Sequence, residues 1–262
     1  HKAEVRGWRV VLKPNLIEFE AGRTINTHPL VLGAAVEAFR ALGAAELRVA
    51  EGPAQRRGTL DLAEAAGYFN AIPKFEEAFT DLNLDEVTRV PLQHAHSRLR
   101  WLYLPHTVLG ADLVVSLAKM KTHHWAGTTL GMKNLFGVVP GAVYGWPKNL
   151  LHWAGIHECI ADLHGLFARQ FVLVDGIVGM EGNGPIQGSP RAAGVLVAGS
   201  DPVAVDATCC RVMGIDPSKV KYLKLAEDRG QTREENVEQI GEAIRTVQTR
   251  FELLKQFAAL RL

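Results

Sequence analysis

Cysteine is scarce: there are three in 262 residues, Cys159, Cys209 and Cys210. The number is odd and no C-x-x-C pair occurs. That excludes an iron–sulfur cluster or a structural zinc knuckle built from cysteine alone within this chain. A disulfide framework does not suit this length, and the three thiols read as small buried hydrophobes. Long apolar runs are missing too, so no segment reads as a membrane span. An excess of one charge is also lacking. The formal net charge is +1, which gives no global attraction to nucleic acid or to a membrane surface. Three catalytic or nucleotide-binding patterns are absent: no G-x-G-x-x-G opens a helix, no G-K-[ST] follows a glycine loop, and no H-E-x-x-H occurs. No signal-peptide pattern is visible. The expectation is a cytoplasmic protein, with export after removal of a leader as the alternative.

Apolar residues make up 47% and charged residues 22%, enough to bury a sizeable core without disorder. Strands and helices alternate. Trp8–Leu12 reads as a strand ending in Lys13-Pro14-Asn15. Thr27 caps a helix from Pro29 to Leu42, with Leu30, Ala34, Ala38 and Ala41 at helical spacing. Glu46–Ala50 is a strand ending in Glu51-Gly52, and Thr59–Ala66 a helix stopped by Gly67. Val87–Leu104 alternates like a hairpin, with His94 and His96 near its turn. Asp112–Ala118 (DLVVSLA) reads as one apolar run, interrupted only by Ser116 after its opening Asp112, as in a strand buried on both faces. Thr128–Phe136 and Pro147–Phe167 read as helices, Phe171–Val174 as a strand, and Gly176–Gly188 as a glycine-rich loop. Gly194–Ala198 follows as a strand, Pro202–Met213 as a helix capped by Asp201, and Asp216–Arg229 as a helix ended by Gly230. The tail from Glu234 to Leu260 has helical composition, with Val237–Ile240 as a candidate edge strand. The pattern predicts an α/β fold: a mostly parallel or mixed sheet with helices on both faces. Residues 1–262 read as one domain, and a division into two lobes would fall near residue 110.

In such sheets, ligands bind beyond the carboxyl ends of the strands. Polar residues fall at those ends: Lys13 and Asn15, Glu51, then Lys119, Lys121, Thr122 and His123, then Asp175, with Gly176 shaping the turn after it. The segment after Lys119 adds Lys133, Asn134 and Lys148 among glycines and apolar residues. Lysines so placed bind a carboxylate or phosphate, work with a lowered pKa, or snorkel from a packed helix. Lys121, His123 and Lys133 are the candidate catalytic residues, with His123 as general acid/base because its ordinary pKa lies near neutrality. Asp175, Glu181, Gly182, Asp201 and Asp206 complete the candidate ligand-binding set. The acidic members could hold a divalent cation or orient the lysines; metal and cofactor identity stay open.

Taken in order, these pieces resemble the domain of unknown function 362 family. The resemblance rests on Lys13-Pro14-Asn15, Lys119-x-Lys121-Thr122-His123, Lys133-Asn134-Leu135-Phe136-Gly137, Asp175-Gly176-Ile177 with Glu181-Gly182-x-Gly184-Pro185, and Asp201-Pro202-Val203-Ala204-Val205-Asp206. It runs from about Trp8 to about Gly230. It implies ferredoxin-type iron–sulfur modules in many members, which this chain lacks the cysteines to build, and twin-arginine leaders in some. It implies no reaction. The residues themselves suggest an enzyme that binds a small anionic metabolite in a Lys/His/Asp-lined cleft. The alternatives are a non-catalytic binding protein using the same cleft, or an electron-transfer accessory that docks a redox partner through an apolar patch around Trp146 and Trp153. A homodimer is compatible with each.

Overall fold

Short runs rich in valine and leucine can satisfy their backbone only by pairing, and they bury both faces when helices cover them. The computed structural model describes residues 5–55, 58–93, 95–227 and 236–262. Within it the strands are β1 (Arg9–Pro14), β2 (Glu46–Glu51), β3 (Phe79–Asp81), β4 (Val87–Pro91), β5 (Trp101–Pro105), β6 (Leu113–His123), β7 (Gly127–Thr129), β8 (Gln170–Glu181) and β9 (Ser189–Gly199). One seven-stranded sheet has the order β3-β2-β1-β6-β8-β9, with β7 added on β6, while β4 and β5 form a separate hairpin. The β1–β2, β2–β3, β1–β6 and β6–β8 pairs are parallel; β6–β7 and β8–β9 are antiparallel. This is the expected mainly parallel, mixed α/β sheet, and the predicted hairpin is present.

Alternate residues feed two cores. Val11, Val114 and Val172 pack with Met132, Ile160, Val203 and Cys209 on one side. Val10, Leu12, Val115 and Leu117 pack with Leu32, Val36 and Phe39 on the other. Helix Pro29–Ala41 covers the second face, and helices Ile156–His164 and Pro202–Val212 the first. All three cysteines are buried and unpaired. No helix of the described residues is long and apolar enough to cross a membrane.

Several local readings are corrected. His28, not Thr27, caps the first long helix: its ring accepts from Leu30 N at 3.2 Å. Thr27 Oγ1 instead donates to Leu117 O at 2.6 Å and accepts from Asn15 N at 2.9 Å. The Leu30/Ala34/Ala38/Ala41 stripe faces outward, Leu30 being 71% exposed, because the larger Leu32, Val36 and Phe39 take the core side. β6 and β8 run on past their apolar halves, to His123 and Glu181. The candidate polar residues on β6 therefore lie within the strand, and the glycine-rich loop shrinks to about Gly182–Gly188. Gly127, with φ of +80°, turns the chain back as β7 where a helix was expected; the helix begins only at Gly131 and passes into a 3-10 turn at Leu135. The long helix expected over Pro147–Phe167 is two, Leu150–Trp153 and Ile156–His164, because Gly155 sits between them at φ +114°. Val237–Ile240 forms no strand. The tail is held instead by Phe251, which is fully buried and bonded to Met213 O. Beyond Asp216 the chain forms a 3-10 turn and then helix Lys221–Glu227. His94, Arg229, Gly230 and Glu234 lie outside the described residues.

Candidate functional site

A cavity of about 240 Å³ opens beyond the carboxyl ends of β1 and β2, under the helical turns that start at Gly131 and beside Pro147–His152. Its polar wall contains Lys13, Asn15, Glu51, His123, Lys133, Asn134, Lys148 and His152. Lys13 and Asn15 arrive from the end of β1, Glu51 from the end of β2, His123 from the end of β6, and Lys133 and Asn134 from the short helix after β7.

One hydrogen-bonded network holds this wall. Lys13 Nζ donates to Glu51 Oε2 at 2.5 Å, Pro14 O at 2.9 Å and Asn134 Oδ1 at 3.1 Å. Asn134 Nδ2 returns to Lys13 O and Ser116 Oγ, and Asn134 Oδ1 also accepts from Asn15 Nδ2 at 3.3 Å. Glu51 takes Gly52 N and Leu16 N as well. A buried ion pair is maintained only when its spare donors and acceptors are filled in this way. Gly137 makes the approach possible, since a Cβ there would run into Glu51 Oε1 and the Lys13 ammonium.

The lysines differ in how many of their three N–H groups are used. Lys13 has three acceptors. Lys121 also has three: Asn15 Oδ1 at 2.7 Å, Ile25 O at 2.9 Å and Pro185 O at 3.2 Å. Lys148 has one, the carbonyl of Gly52 at 2.5 Å. Lys133 has no hydrogen-bond or ion-pair partner among the described residues; its ammonium sits 4.0 Å from the centre of the Phe136 ring. Burial lowers the Lys133 pKa to about 7, helped by the Lys13 charge. Burial likewise brings Lys148 to about 7, against the pull of Glu51. A desolvated amine loses the water that stabilises its charge, and among the described residues no carboxylate forms an ion pair with Lys133 or Lys148.

His123 departs from its expected role. Its Nδ1 accepts from Trp125 N at 2.9 Å and Ala126 N at 3.1 Å. The proton of the neutral ring is therefore on Nε2. Burial first, then the Lys133 charge, holds the imidazole pKa well below 6.5. Near neutrality the ring is a fixed N–H donor and not a base. His152 is pushed down to about 4 for the same two reasons.

Other predicted residues lie elsewhere. Lys121 is fully buried behind Asn15, is bonded to it and does not line the cavity. Lys119 pairs with Asp175 at 2.8 Å, and the two line an apolar groove on the side of helix Pro29–Ala41. Asp175 also accepts from His28 N at 2.9 Å, anchoring that helix to β8. Thr122 Oγ1 donates to Gly182 O at 2.9 Å. Gly176 is a strand residue opposite Val195. Glu181 accepts from Glu252 N, and Gly182 N donates to Glu252 O, so both hold the tail. Asp201 caps its helix through Ala204 N. Asp206 accepts from Gly131 N at 2.7 Å and Met132 N at 3.1 Å, starting the helix that carries Lys133. Burial raises its carboxyl to about 7. The cleft is thus lined by Lys, His, Asn and Glu, with Asp175 and Asp206 outside it. The acidic residues expected to gather a cation are each bonded to protein donors in separate places, and among the described residues no group of three or more His, Cys, Asp or Glu is placed to hold a metal ion.

Beside this polar wall stands a wall of rings that the sequence pattern did not single out. His123 stacks on His124 with centroids 4.9 Å apart, Trp125 lies 5.0 Å from His152, and Phe136 meets His152 edge-on at 5.5 Å. The aromatic character of Trp125 and Phe136, next to the basic residues, was the available signal. Trp153 is 76% exposed, whereas Trp146 is half-buried.

Comparison with known proteins places the chain in a family. The chain is 30% identical over 232 residues to a thylakoid-associated protein of Synechocystis sp. (strain ATCC 27184 / PCC 6803 / Kazusa), covering 86% of this chain and 68% of that protein. Among solved structures it resembles the lactate racemase apoprotein from Thermoanaerobacterium thermosaccharolyticum, with a TM-score of 0.50 and 17% identity. That match covers 80% of this chain and 50% of the other, so the chain spans half the length of that structure and the likeness is one of α/β fold. A Thermotoga maritima structure aligns over 86% of this chain and 55% of its own, at 16% identity and a TM-score of 0.45. The model of the domain of unknown function family DUF362 matches residues 10–211, and with most of its length inside that match the chain belongs to this family.

Proposed function

We propose that the cavity binds a small carboxylate or phosphate and that the chain is an enzyme acting on it. One observation carries this reading: Lys133 and Lys148 bring amine donors to one cavity with a single hydrogen-bond acceptor between them among the described residues. Buried donors without partners cost free energy, and an anionic oxygen is the ligand that relieves the cost. Lys13 is neutralised by Glu51, so among the described residues the remaining cationic capacity of the wall belongs to Lys148 and Lys133. In this reading Lys148 and the Nε2–H of His123 hold the anion. Lys133, near half-protonated at neutrality, is the group that gives or takes a proton.

The test is calorimetry and thermal shift across a panel of small carboxylates and phosphates, with wild type and Lys148→Met. A charge-assisted hydrogen bond contributes about 1.5–3 kcal/mol, so the variant is expected to lose roughly tenfold or more in affinity. A panel without a binder, or equal affinity in the variant, would refute the reading.

A further inference from the structure

The proposed function leaves the substrate class open, and the cavity narrows it. Resting on that reading, we infer that the substrate is an anionic carbonyl compound, a small aldehyde or 2-oxo acid, and that Lys133 attacks its carbonyl carbon to form a Schiff base. Three features of the site meet the needs of this step.

The first need is a free lone pair. Lys133 Nζ donates to no acceptor and pairs with no carboxylate among the described residues; it faces the Phe136 ring and the cavity. Lys13 and Lys121, with three acceptors each, are tied down. The pKa of about 7 supports the assignment: at neutral pH such an amine has on the order of 10³ times more neutral form than an ordinary lysine. The second need is a donor for the carbonyl oxygen as it gains negative charge. His123 Nε2–H is fixed for this, because two backbone N–H groups occupy Nδ1. The third is a cation for the acid group that stays unreacted, and Lys148 supplies it.

The step balances without an outside reagent. The Nζ electron pair forms the N–C bond, and the carbonyl π pair moves to oxygen, where His123 donates a hydrogen bond. A proton from nitrogen passes to that oxygen. Loss of water then breaks the C–O bond and forms C=N. Nothing is oxidised or reduced.

Reductive trapping tests this. The wild-type protein is incubated with glyoxylate or pyruvate, with and without cyanoborohydride, and mapped by peptide mass spectrometry. Oxalate and acetate binding are measured in parallel by calorimetry. The expected result is a hydride-dependent adduct on the peptide carrying Lys133, formed at neutral pH and absent from Lys133→Arg. Because the adduct is located in the wild type, the inference does not depend on the variant folding. Adducts spread over exposed lysines, or no adduct while the non-carbonyl anions bind, would overturn the Schiff base and leave the anion site standing. If neither anions bind nor adducts form, both readings fall.

Discussion

Replacing Lys133 with Met separates a poised amine from a packed stem. Met keeps most of the stem and removes the amine. In the folded chain the Lys133 pKa falls from 10.5 to about 7, chiefly through burial and next through Lys13. At about 1.4 kcal/mol per pH unit, that drop corresponds to roughly 5 kcal/mol of disfavoured charge. The sign follows from proton linkage. Below about pH 7 the amine is charged in both states, and folding carries the full penalty. From about pH 7 to about 10.5 the folded state holds the neutral amine while the unfolded state is charged, so the penalty shrinks as pH rises. Lys133→Met should therefore stabilise the fold at low pH and lose that advantage at high pH. Relaxation around the ammonium makes the full figure an upper bound. The lost contact with the Phe136 ring offsets about 0.5–2 kcal/mol more. Between about pH 9 and pH 6 the variant should gain about 2–3 kcal/mol relative to wild type, read from urea unfolding monitored by circular dichroism. Increased stability at the cost of ligand binding would mark a residue retained for function. A variant destabilised by the same amount at both pH values would show that the amine titrates normally and the reasoning is wrong.

Other outcomes follow from the same geometry. Lys119→Met strands the Asp175 carboxylate in the interior; it should cost about 3–5 kcal/mol in urea unfolding, with part recovered in the Lys119→Met/Asp175→Asn double variant. Ligand affinity should stay unchanged, because this pair lies outside the cavity. Anion binding should take up protons above about pH 7, since a bound anion raises the pKa of Lys133 and Lys148, and affinity should fall by up to about tenfold per pH unit for each proton. Calorimetry in buffers of different ionisation enthalpy reads this directly, and pH-independent binding would contradict it. Asp206, with its carboxyl raised from 3.8 to about 7 by burial, makes folding less favourable as pH climbs from about 4 to about 7, after which its effect is constant. In Asp206→Asn that fall in Tm should be missing; an unchanged profile would place the titration elsewhere.

Most of the sheet was legible because strands announce themselves locally. Val10–Leu12, Leu113–Val115 and Val172–Val174 are apolar at consecutive positions, and runs this short and rich in valine fit a strand covered on both faces. Helix Pro202–Val212 was legible for a similar reason, with Asp201 and Pro202 at its start. The errors arose where local pattern and tertiary pairing compete. Thr128–Phe136 has helical composition, but its first residues pair with Thr122 and Lys121 across a turn made by Gly127. The β8 strand carries its glycines into a ladder with β9, because that neighbour supplies partners that a loop would have lacked.

Residue type and spacing by themselves determined most of the sheet, the helices that start at Pro29 and Pro202, the resemblance to a family, and a set of lysines near strand ends. Those are properties of short windows, where periodicity and turn chemistry decide. Only the tertiary structure decided which lysine meets which acceptor. Lys13 and Asn134 are 121 positions apart, and Lys121 and Asn15 are 106 apart. A charge is neutral, paired or free according to what packing places within about 3 Å of it, since both attraction and desolvation depend on that short range. Packing gave Lys119 to Asp175 and Lys13 to Glu51, and enclosed Lys121 among three acceptors. It left Lys133 facing an aromatic ring and an open cavity.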